Sequence, residues 1–261
     1  MKVVILAGGY GTRISEESRF KPKPMITIGE YPILWHIMKL FSAYGYNDFI
    51  ICTGYKSNII KNYFLNYYFY QSDVTVDFNN FKEIIIHETN AEAWRVTMVE
   101  TGLDTMTGGR VRRIRKYVDG NTFMLTYGDG LADIDLQKLV HYHQAHGKLA
   151  TVTAVQPKGR FGALSLGNDG KVEAFQEKLT GDGAWVNGGF FVLQPEVFDY
   201  IDGDETVFER EPLESLAAEG ELMAFKHSGF WHPMDTLRDR QYLEELWNKG
   251  KPPWHVWGKQ P

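Results

Sequence analysis

The chain has 261 residues, 43% apolar and 23% charged, with a formal net charge of -5. A generalised nucleic-acid binder is more often basic, so this balance argues against that class. The one cysteine, Cys52, excludes an intrachain disulfide, and its apolar surroundings favour an inert, buried thiol. No apolar run approaches the roughly 18 residues of a membrane span, and the first residues lack a signal-peptide pattern. We therefore expect a cytoplasmic protein that is not bound to a membrane.

Short β-branched runs alternate with helical patterns along the first 154 residues. Strands are predicted at residues 3–6, 49–53, 123–126 and 150–154, and helices at 33–41, 59–69 and 136–146. This alternation predicts an α/β fold that is Rossmann-like and has three layers, with a mixed, mostly parallel sheet between helices on both faces.

Several short strands without helices between them are added to this pattern. They are predicted at residues 74–78, 83–87, 96–100 and 190–193, and as a hairpin of 164–166 with 172–175. We expect them to form antiparallel structure over the ligand edge of one domain, residues 1–261. A closing helix at 238–247 and an extended C-terminal tail that packs through its tryptophans complete the prediction.

A glycine-rich loop follows the first predicted strand directly. It consists of Leu6, Ala7, Gly8, Gly9, Tyr10, Gly11, Thr12 and Arg13. Glycines let backbone N–H groups approach phosphate oxygens without a Cβ in the way. A dinucleotide fingerprint would need a third glycine where Ile14 stands, and a Walker A loop would need Gly-Lys followed by Ser or Thr. Taken alone, the loop is equally consistent with a tight turn that binds nothing.

A stiff basic segment, residues 21–25, lies ten residues further on and reads Lys-Pro-Lys-Pro-Met. Its prolines hold the chain extended and oppose helix formation, so Lys21 and Lys23 are presented from a rigid backbone. Alone, this segment could be a surface linker. Together with the preceding loop it supplies donors and cations for a triphosphate.

Two carboxylates are candidate magnesium ligands. Asp129 lies between glycines at the end of an apolar strand, where the ligand edge of an α/β sheet is expected. Asp235 lies just before the closing helix. The plainer interpretations are an Asp-Gly turn for Asp129 and an N-cap for Asp235. Asp133 and Asp135 are predicted to cap the helix that follows them.

Residues 6–13 and 21–25 together resemble the signature of the nucleotidyltransferases that make nucleoside-diphosphate sugars. The resemblance makes Arg13 and Lys23 the catalytic residues, contacting the leaving pyrophosphate and the transferred phosphoryl group. It pairs Asp129 and Asp235 as ligands of one Mg²⁺. The nucleotide-binding positions that it implies are Leu6, Ala7, Gly8, Gly9, Tyr10, Gly11, Thr12, Arg13, Lys23, Thr105, Arg110 and Gly128.

Later segments resemble the sugar-binding parts of the same family. The positions implied as sugar-phosphate contacts are Gly162, Glu177, Lys178, Asn187 and Gly188. Hexose hydroxyls need paired donors and acceptors, which such side chains and glycine backbones provide, and Lys178 can neutralise the sugar phosphate. Relatives often have proline where Leu179 stands. The turn that follows Glu177 and Lys178 is therefore expected to be stabilised differently in this chain.

The resemblance covers essentially the whole chain in order. Residues 32–38, 104–110, 159–164 and 230–239 make the resemblance more specific, to the family members that use CTP and glucose 1-phosphate. It implies CDP-glucose as product and a homo-oligomer, with a hexamer as the expected form. A uridylyl- or thymidylyltransferase and a catalytically silent sugar-nucleotide-binding subunit remain as alternatives.

Two other clusters of polar residues are given plainer interpretations. The basic run at residues 110–116 could suggest nucleic acid, but such a run in an acidic protein is more often a solvated helix face. His141, His143 and His146 have a spacing that does not place all three on one helix face, so we do not expect a metal cluster there.

Overall fold

The computed structural model describes residues 1–79, 83–157, 163–166, 172–176 and 184–258. Its strands, β1 to β15, are Val3–Leu6, Thr27–Ile28, Tyr31–Pro32, Asp48–Thr53, Ser72–Val76, Ile84–Thr89, Arg95–Glu100, Phe123–Tyr127, Gly130–Ala132, Ala150–Val155, Ala163–Leu166, Val172–Gln176, Val186–Leu193, Leu222–His227 and Trp231–Pro233. Its α-helices, α1 to α8, are Ser15–Ser18, Ile33–Ser42, Ser57–Tyr70, Thr107–Arg113, Arg115–Val118, Leu136–His146, Glu211–Ala218 and Leu237–Asn248. Short 3-10 helices span Thr12–Ile14, Lys23–Met25 and Pro195–Tyr200.

Seven strands form the central sheet, in the order β14-β10-β13-β8-β1-β4-β7. Strand β1 is parallel to β4 and β8, β4 to β7, and β10 to β14, whereas β13 is antiparallel to both of its neighbours. All strands of this sheet except β13 therefore run in the same direction. Their carboxyl ends and the amino end of β13 meet at one edge, which we call the ligand edge. The predicted mixed, mostly parallel sheet is confirmed.

Helices cover both faces of the sheet. Successive side chains of a strand point to opposite faces, so Val3 and Ile5 join one core cluster while Val4 and Leu6 join the other. The first cluster includes apolar residues of α2, α3, α6 and α8, and the second those of α4, α5 and α7. A strand buried on both faces is apolar throughout, which is why β1 reads as a continuous run rather than as an alternation.

Two sequence-based assignments require correction. The strand predicted at 96–100 belongs to the parallel sheet as its edge strand β7, and is not part of an added antiparallel layer. The strand predicted at 190–193 begins four residues earlier, because β13 continues through Asn187, Gly188 and Gly189. These residue types are rare in strands, so propensity hides this half of β13.

The basic run at residues 110–116 is exposed, as predicted, at Arg112, Arg113, Arg115 and Lys116, but not at Arg110. It is divided between α4 and α5, and Arg110 is buried with 4% of its surface exposed. Arg113 forms an ion pair with Asp204, and Arg115 forms one with Asp199. The prediction of a solvated basic surface is therefore wrong only for Arg110, which lies inside the fold.

The C-terminal tail returns to the core. Trp254 is fully buried, and its indole Nε1 lies 3.4 Å from Nδ1 of His36 on α2. Trp247, at the end of α8, lies so close to Gly29 that a Cβ at that glycine would be 2.2 Å from the indole nitrogen. None of the helices in the described ranges is long and apolar enough to cross a bilayer.

Two buried histidines predict how stability depends on pH. Burial lowers the pKa of His36 and of His143 to about 4, whereas an unfolded histidine has a pKa near 6.5. Between these values the unfolded chain binds protons that the folded chain does not. The free energy of unfolding should therefore fall as the pH drops from about 6.5 to about 4.

Urea unfolding at a series of pH values tests this expectation. His143→Gln should flatten the loss of stability over that window, because one of the titrating groups is gone. His141→Gln, an exposed histidine on the same helix, is the matched control and should leave the slope unchanged. Equal slopes for wild type and His143→Gln would contradict the assignment.

Candidate active site

The glycine loop and Asp129 begin next to each other at the ligand edge. Strands β1 and β8 are parallel neighbours with Leu6 opposite Tyr127, and the N–H of Gly128 donates to the carbonyl of Leu6 at 3.0 Å. A Cβ at Gly128 would lie 3.0 Å from both that oxygen and Pro24 Cγ, so a larger residue would separate the loop from the strand. The sheet therefore places the loop and the carboxylate side by side.

A cavity of about 690 Å³ opens at this edge. Its lining includes residues 6–12, Lys23, Thr105, Arg110 and Gly128, together with both predicted metal ligands. The predicted nucleotide positions are thus brought together from four separate stretches of sequence. Arg13 belongs by its backbone to the short helix Thr12–Ile14, and its side chain is outside the described part of the structure.

Asp129 and Asp235 lie 106 positions apart in the sequence but meet through a short antiparallel ladder. Strand β9 follows Asp129 directly and pairs with β15, which ends two residues before Asp235. The N–H of Met234 donates to the carbonyl of Asp129 at 2.8 Å and closes the ladder. Backbone pairing, rather than side-chain attraction alone, holds these carboxylates together.

Lys23 lies between these two carboxylates. Its Nζ is 2.5 Å from Asp129 Oδ2 and 2.8 Å from Asp235 Oδ1, and 11% of its side chain is exposed. Burial acts to lower the pKa of Lys23, but the two carboxylates outweigh it, so this pKa is raised above its ordinary value. Both carboxylates are thus aimed at one cationic position.

This arrangement fits a Mg²⁺ ion. Magnesium is usually held by one or two carboxylates together with substrate phosphates, rather than by a complete cage of protein ligands. Asp129 and Asp235 provide such a pair at the wall of the cavity. Within the described residues no cluster of three or more His, Cys, Asp or Glu side chains offers a fuller cage.

The backbone of the basic segment differs in part from the expected extended form. Pro22 is extended, but Lys23–Met25 forms a single 3-10 turn with Pro24 in its first positions. Proline is tolerated in a first turn because its missing N–H has no partner to lose there. The turn directs Lys23 into the cavity, where it is held beside Gly11, whose φ of +66° requires glycine.

The alternative interpretation of Asp235 as a helix cap is wrong. Thr236 is the N-cap of α8, in a capping box with Asp239. The N–H of Asp235 donates to the same Asp239 carboxylate at 3.2 Å, so the cap also orients the neighbouring carboxylate. Asp135 does cap α6 as predicted, whereas Asp133 lies 3.1 Å from His227 instead of capping that helix.

Arg110 supports the wall of the cavity from behind. Its guanidinium donates to Thr101 Oγ1 at 2.8 Å and to the carbonyls of Gly102 and Leu103 at 2.7 and 3.1 Å. A Cβ at Gly8 would lie 2.1 Å from Nη1, so the glycine loop can lie against this group only because it lacks a side chain there. Burial lowers the pKa of Arg110, and the hydrogen bonds compensate its charge.

Sequence reasoning missed the contact across the mouth of the cavity. Tyr10 donates its hydroxyl proton to Asp104 at 2.7 Å and so links the glycine loop to residues 101–106. This hydrogen bond, more than desolvation, raises the pKa of Tyr10. Both residues are common at surfaces, and no local sequence pattern indicates that they pair.

A smaller cavity of about 300 Å³ adjoins the first. Asn187 and Gly188, two of the predicted sugar-binding positions, line it, and Tyr127, Asp129 and Asp235 line both cavities. Trp231 donates to the carbonyl of Gly188 at 2.7 Å and fixes this end of β13. The other predicted sugar contacts, Gly162, Glu177 and Lys178, lie outside the described residues.

Residues 2–239 match the model of the nucleotidyl transferase family. The chain belongs to this family. It is 58% identical over 258 residues to a glucose-1-phosphate cytidylyltransferase of Salmonella typhimurium, covering 98% of this chain and 100% of the relative. It is 46% identical over 258 residues, with the same coverage, to a probable glucose-1-phosphate cytidylyltransferase of Bacillus subtilis.

Solved structures of the same fold support the architecture. The crystal structure of HddC from Yersinia pseudotuberculosis is similar with a TM-score of 0.68 and 23% identity, over 94% of this chain and 99% of that chain. Membership of the nucleotidyl transferase family confirms the resemblance that residues 6–13 and 21–25 indicated.

Proposed function

We propose that this nucleotidyl transferase moves the cytidylyl group of CTP to α-D-glucose 1-phosphate, with CDP-glucose and pyrophosphate as products. The observation that carries the proposal is the junction of the two cavities, where Lys23, Asp129 and Asp235 meet. The reaction joins two phosphorylated reactants, and this junction offers a fixed cation with room on either side. The names of the curated relatives support the choice of CTP and glucose 1-phosphate.

The larger cavity would hold the nucleotide and the smaller one the sugar phosphate. Residues 6–12 present a glycine-rich backbone to the triphosphate, and Thr105 and Arg110 belong to the far wall. Asn187 and Gly188 face the hexose side. By resemblance, Gly162, Glu177 and Lys178 would complete the sugar site, with Lys178 near the sugar phosphate.

The reaction is an in-line displacement at the α-phosphorus of CTP. An oxygen of glucose 1-phosphate forms the new bond to that phosphorus, and the bond from the α-phosphorus to the oxygen bridging to the β-phosphate breaks. A phosphate monoester has a second pKa near 6, so the nucleophile is anionic near neutral pH and no side chain has to remove a proton. The obstacle is the approach of two highly negative reactants.

The protein reduces that obstacle through charge and position. Lys23 places an ammonium group at the junction, the glycine loop places N–H groups near the phosphates, and Arg13 is assigned to the leaving pyrophosphate. A Mg²⁺ ion held by Asp129 and Asp235, when bound, would supply Lewis-acid stabilisation of phosphate oxygens. Because the backbone fixes these groups beforehand, little reorganisation is needed in the transition state.

Pyrophosphate release tests the proposal when CTP, UTP, dTTP, GTP and ATP are offered separately with glucose 1-phosphate and Mg²⁺. Release with CTP alone is expected. Release with UTP or dTTP instead would keep the reaction but overturn the choice of base. No release with any of them would favour another sugar phosphate or a silent binding subunit.

We also propose a homo-oligomer, with a hexamer as the form that the resemblance implies. Support comes from the hairpin of β5 and β6, which forms a separate two-stranded sheet. One face of it carries Val74, Val76 and Ile84, which are 40, 46 and 54% exposed. An isolated hairpin is only marginally stable in water, and a contiguous exposed apolar face is typical of a protein interface.

The oligomer proposal predicts that Val76→Asp lowers the molar mass measured by light scattering during gel filtration. The charge would be buried against a second copy at a cost that weak apolar contacts cannot offset. Thr75→Asp places the same charge on the opposite face of the same strand, opposite Ile85, and comparison of the two variants shows which face the second copy covers. A wild-type protein that elutes as a monomer would contradict the proposal.

A further inference from the structure

The carboxylate of Glu209 links the walls of the two cavities. Its Oε1 accepts the hydroxyl proton of Tyr127 at 2.6 Å, and its Oε2 accepts that of Thr107 at 2.5 Å. Tyr127 lines both cavities, and Thr107 lines the larger one. Glu209 therefore acts on both walls through hydroxyl groups, without lining either cavity itself.

On the sugar side, this contact determines which hydrogen bonds Asn187 can make. A tyrosine hydroxyl has one proton, and in Tyr127 it is committed to Glu209. The Tyr127 oxygen is left as an acceptor, and Asn187 Nδ2 donates to it at 3.2 Å. At its other end, Asn187 Oδ1 accepts the N–H of Gly189 at 2.8 Å.

The Asn187 amide is thus oriented from both ends. Its oxygen faces a backbone donor and its nitrogen faces an acceptor, so turning the amide over would set donor against donor at Gly189. The second N–H of the amide remains available to a ligand in the smaller cavity, which Asn187 lines. A hexose hydroxyl can accept that hydrogen bond.

On the nucleotide side, Glu209 is positioned by the close packing of residues 204–209 against residues 106–108, a contact that we call the seam. The N–H groups of Met106 and Gly108 donate to the carbonyls of Asp204 and Thr206 at 2.8 and 2.9 Å. A Cβ at Gly108 would lie 2.7 Å from Thr206 O, so the approach depends on glycine. The segment 204–209 is held against the start of α4, the helix that carries Arg110, and Glu209 ends the seam at Thr107.

We propose that Glu209 is a positioning residue for the sugar phosphate, which fixes the Asn187 amide as a donor toward the hexose by holding the Tyr127 proton. This inference rests on the proposed function, which assigns the smaller cavity to glucose 1-phosphate. It also ties the geometry of the sugar side to the start of α4 in the nucleotide wall. A carboxylate serving only as a brace for the seam would have no such selective effect on the sugar.

Steady-state kinetics of the full-length protein test the proposal by separating KM from kcat. Glu209→Ala should raise KM for glucose 1-phosphate about tenfold, the effect of losing roughly one hydrogen bond in the site, and should change KM for CTP less. Glu209→Gln keeps an acceptor for Tyr127 and should restore KM to within about threefold of wild type. Glu219→Ala is the matched control. It also removes a carboxylate that accepts a tyrosine hydroxyl proton, from Tyr200 at 2.5 Å, but Glu219 lines neither cavity.

A double-mutant cycle of Glu209 and Tyr127 distinguishes a positioning role of Glu209 from a purely structural one. In the Tyr127→Phe background the proton that Glu209 holds is gone, so Glu209→Ala should cause no further rise in KM for the sugar phosphate. If Glu209→Ala raised KM for glucose 1-phosphate by the same factor in the wild-type and Tyr127→Phe backgrounds, the proposal would be overturned. So would an unchanged KM in Tyr127→Phe alone, a measurement that stands even if Glu209→Ala does not fold.

The wild-type protein in the same experiment separates this inference from the function beneath it. Turnover of CTP and glucose 1-phosphate by wild type, with normal KM values in the Glu209 and Tyr127 variants, would overturn only the role of Glu209. A wild type that does not turn over this pair would overturn the proposed function, and the inference would fall with it.

Discussion

Replacing Lys23 by methionine is expected to lower kcat by a factor on the order of 10²–10³, as for loss of other fixed donors aimed at transition-state charge. Lys23 is the ammonium group at the junction of the two cavities, within 2.8 Å of both Asp129 and Asp235. Methionine preserves most of the apolar stem and removes the charge. The loss should therefore fall on the reaction rather than on the fold.

The measurement is pyrophosphate release at saturating CTP, glucose 1-phosphate and Mg²⁺, with the melting temperature recorded for each variant. Lys39→Met is the matched control, because Lys39 is similarly buried and paired with Glu92 at 2.5 Å, but lies outside both cavities. Normal kcat in Lys23→Met would remove the lysine from the mechanism. An equal loss in Lys39→Met would show that the effect is general destabilisation.

Asp129→Asn and Asp235→Asn should each lower turnover by at least about 100-fold, since a bound metal contributes several kcal/mol of transition-state stabilisation. Asparagine keeps the shape and an oxygen that can accept from Lys23, but it loses the negative charge that magnesium prefers. Because both residues would hold one ion, the double variant should be little worse than either single one. Titration of activity with Mg²⁺ should show that each variant needs a higher Mg²⁺ concentration than wild type to reach half of its maximal activity.

Metal binding gives a second readout that does not depend on turnover. Electron paramagnetic resonance of Mn²⁺ in the presence of CTP should show weaker binding for both variants. Asp135→Asn is the control, since Asp135 caps α6 and asparagine is an equally good cap. Wild-type metal affinity in Asp129→Asn and Asp235→Asn would exclude these carboxylates as the ligands.

The strands and helices that could be predicted from sequence are those whose own burial determines their pattern of apolar residues. Strands β1, β4 and β8 are buried on both faces, so their apolar runs are visible without any neighbour. Strand β14 and helix α7 were not predicted. Strand β14 has no fully buried residue, and α7 buries only Pro212 and Leu216.

In the site, the groups that could be predicted are those whose local sequence is unusual. Lys23 lies among prolines, and Asp129 lies between glycines at a strand end. Glu209 has ordinary neighbours, and its contact with Tyr127 joins positions 82 apart in the chain. Only the folded structure brings such a pair together, because its partners are set by sheet order and by the seam at α4.

The central claim is that the two cavities join glucose 1-phosphate to the α-phosphorus of a nucleotide, and phosphorus-31 nuclear magnetic resonance of the reaction mixture tests it most directly. With CTP, glucose 1-phosphate and Mg²⁺, we expect two mutually coupled resonances of a new diphosphate linkage to grow together with free pyrophosphate. Release of CDP in place of pyrophosphate would contradict the account. CDP with inorganic phosphate would mean that water attacks the γ-phosphorus, and CDP with a sugar 1-diphosphate would mean that glucose 1-phosphate attacks there.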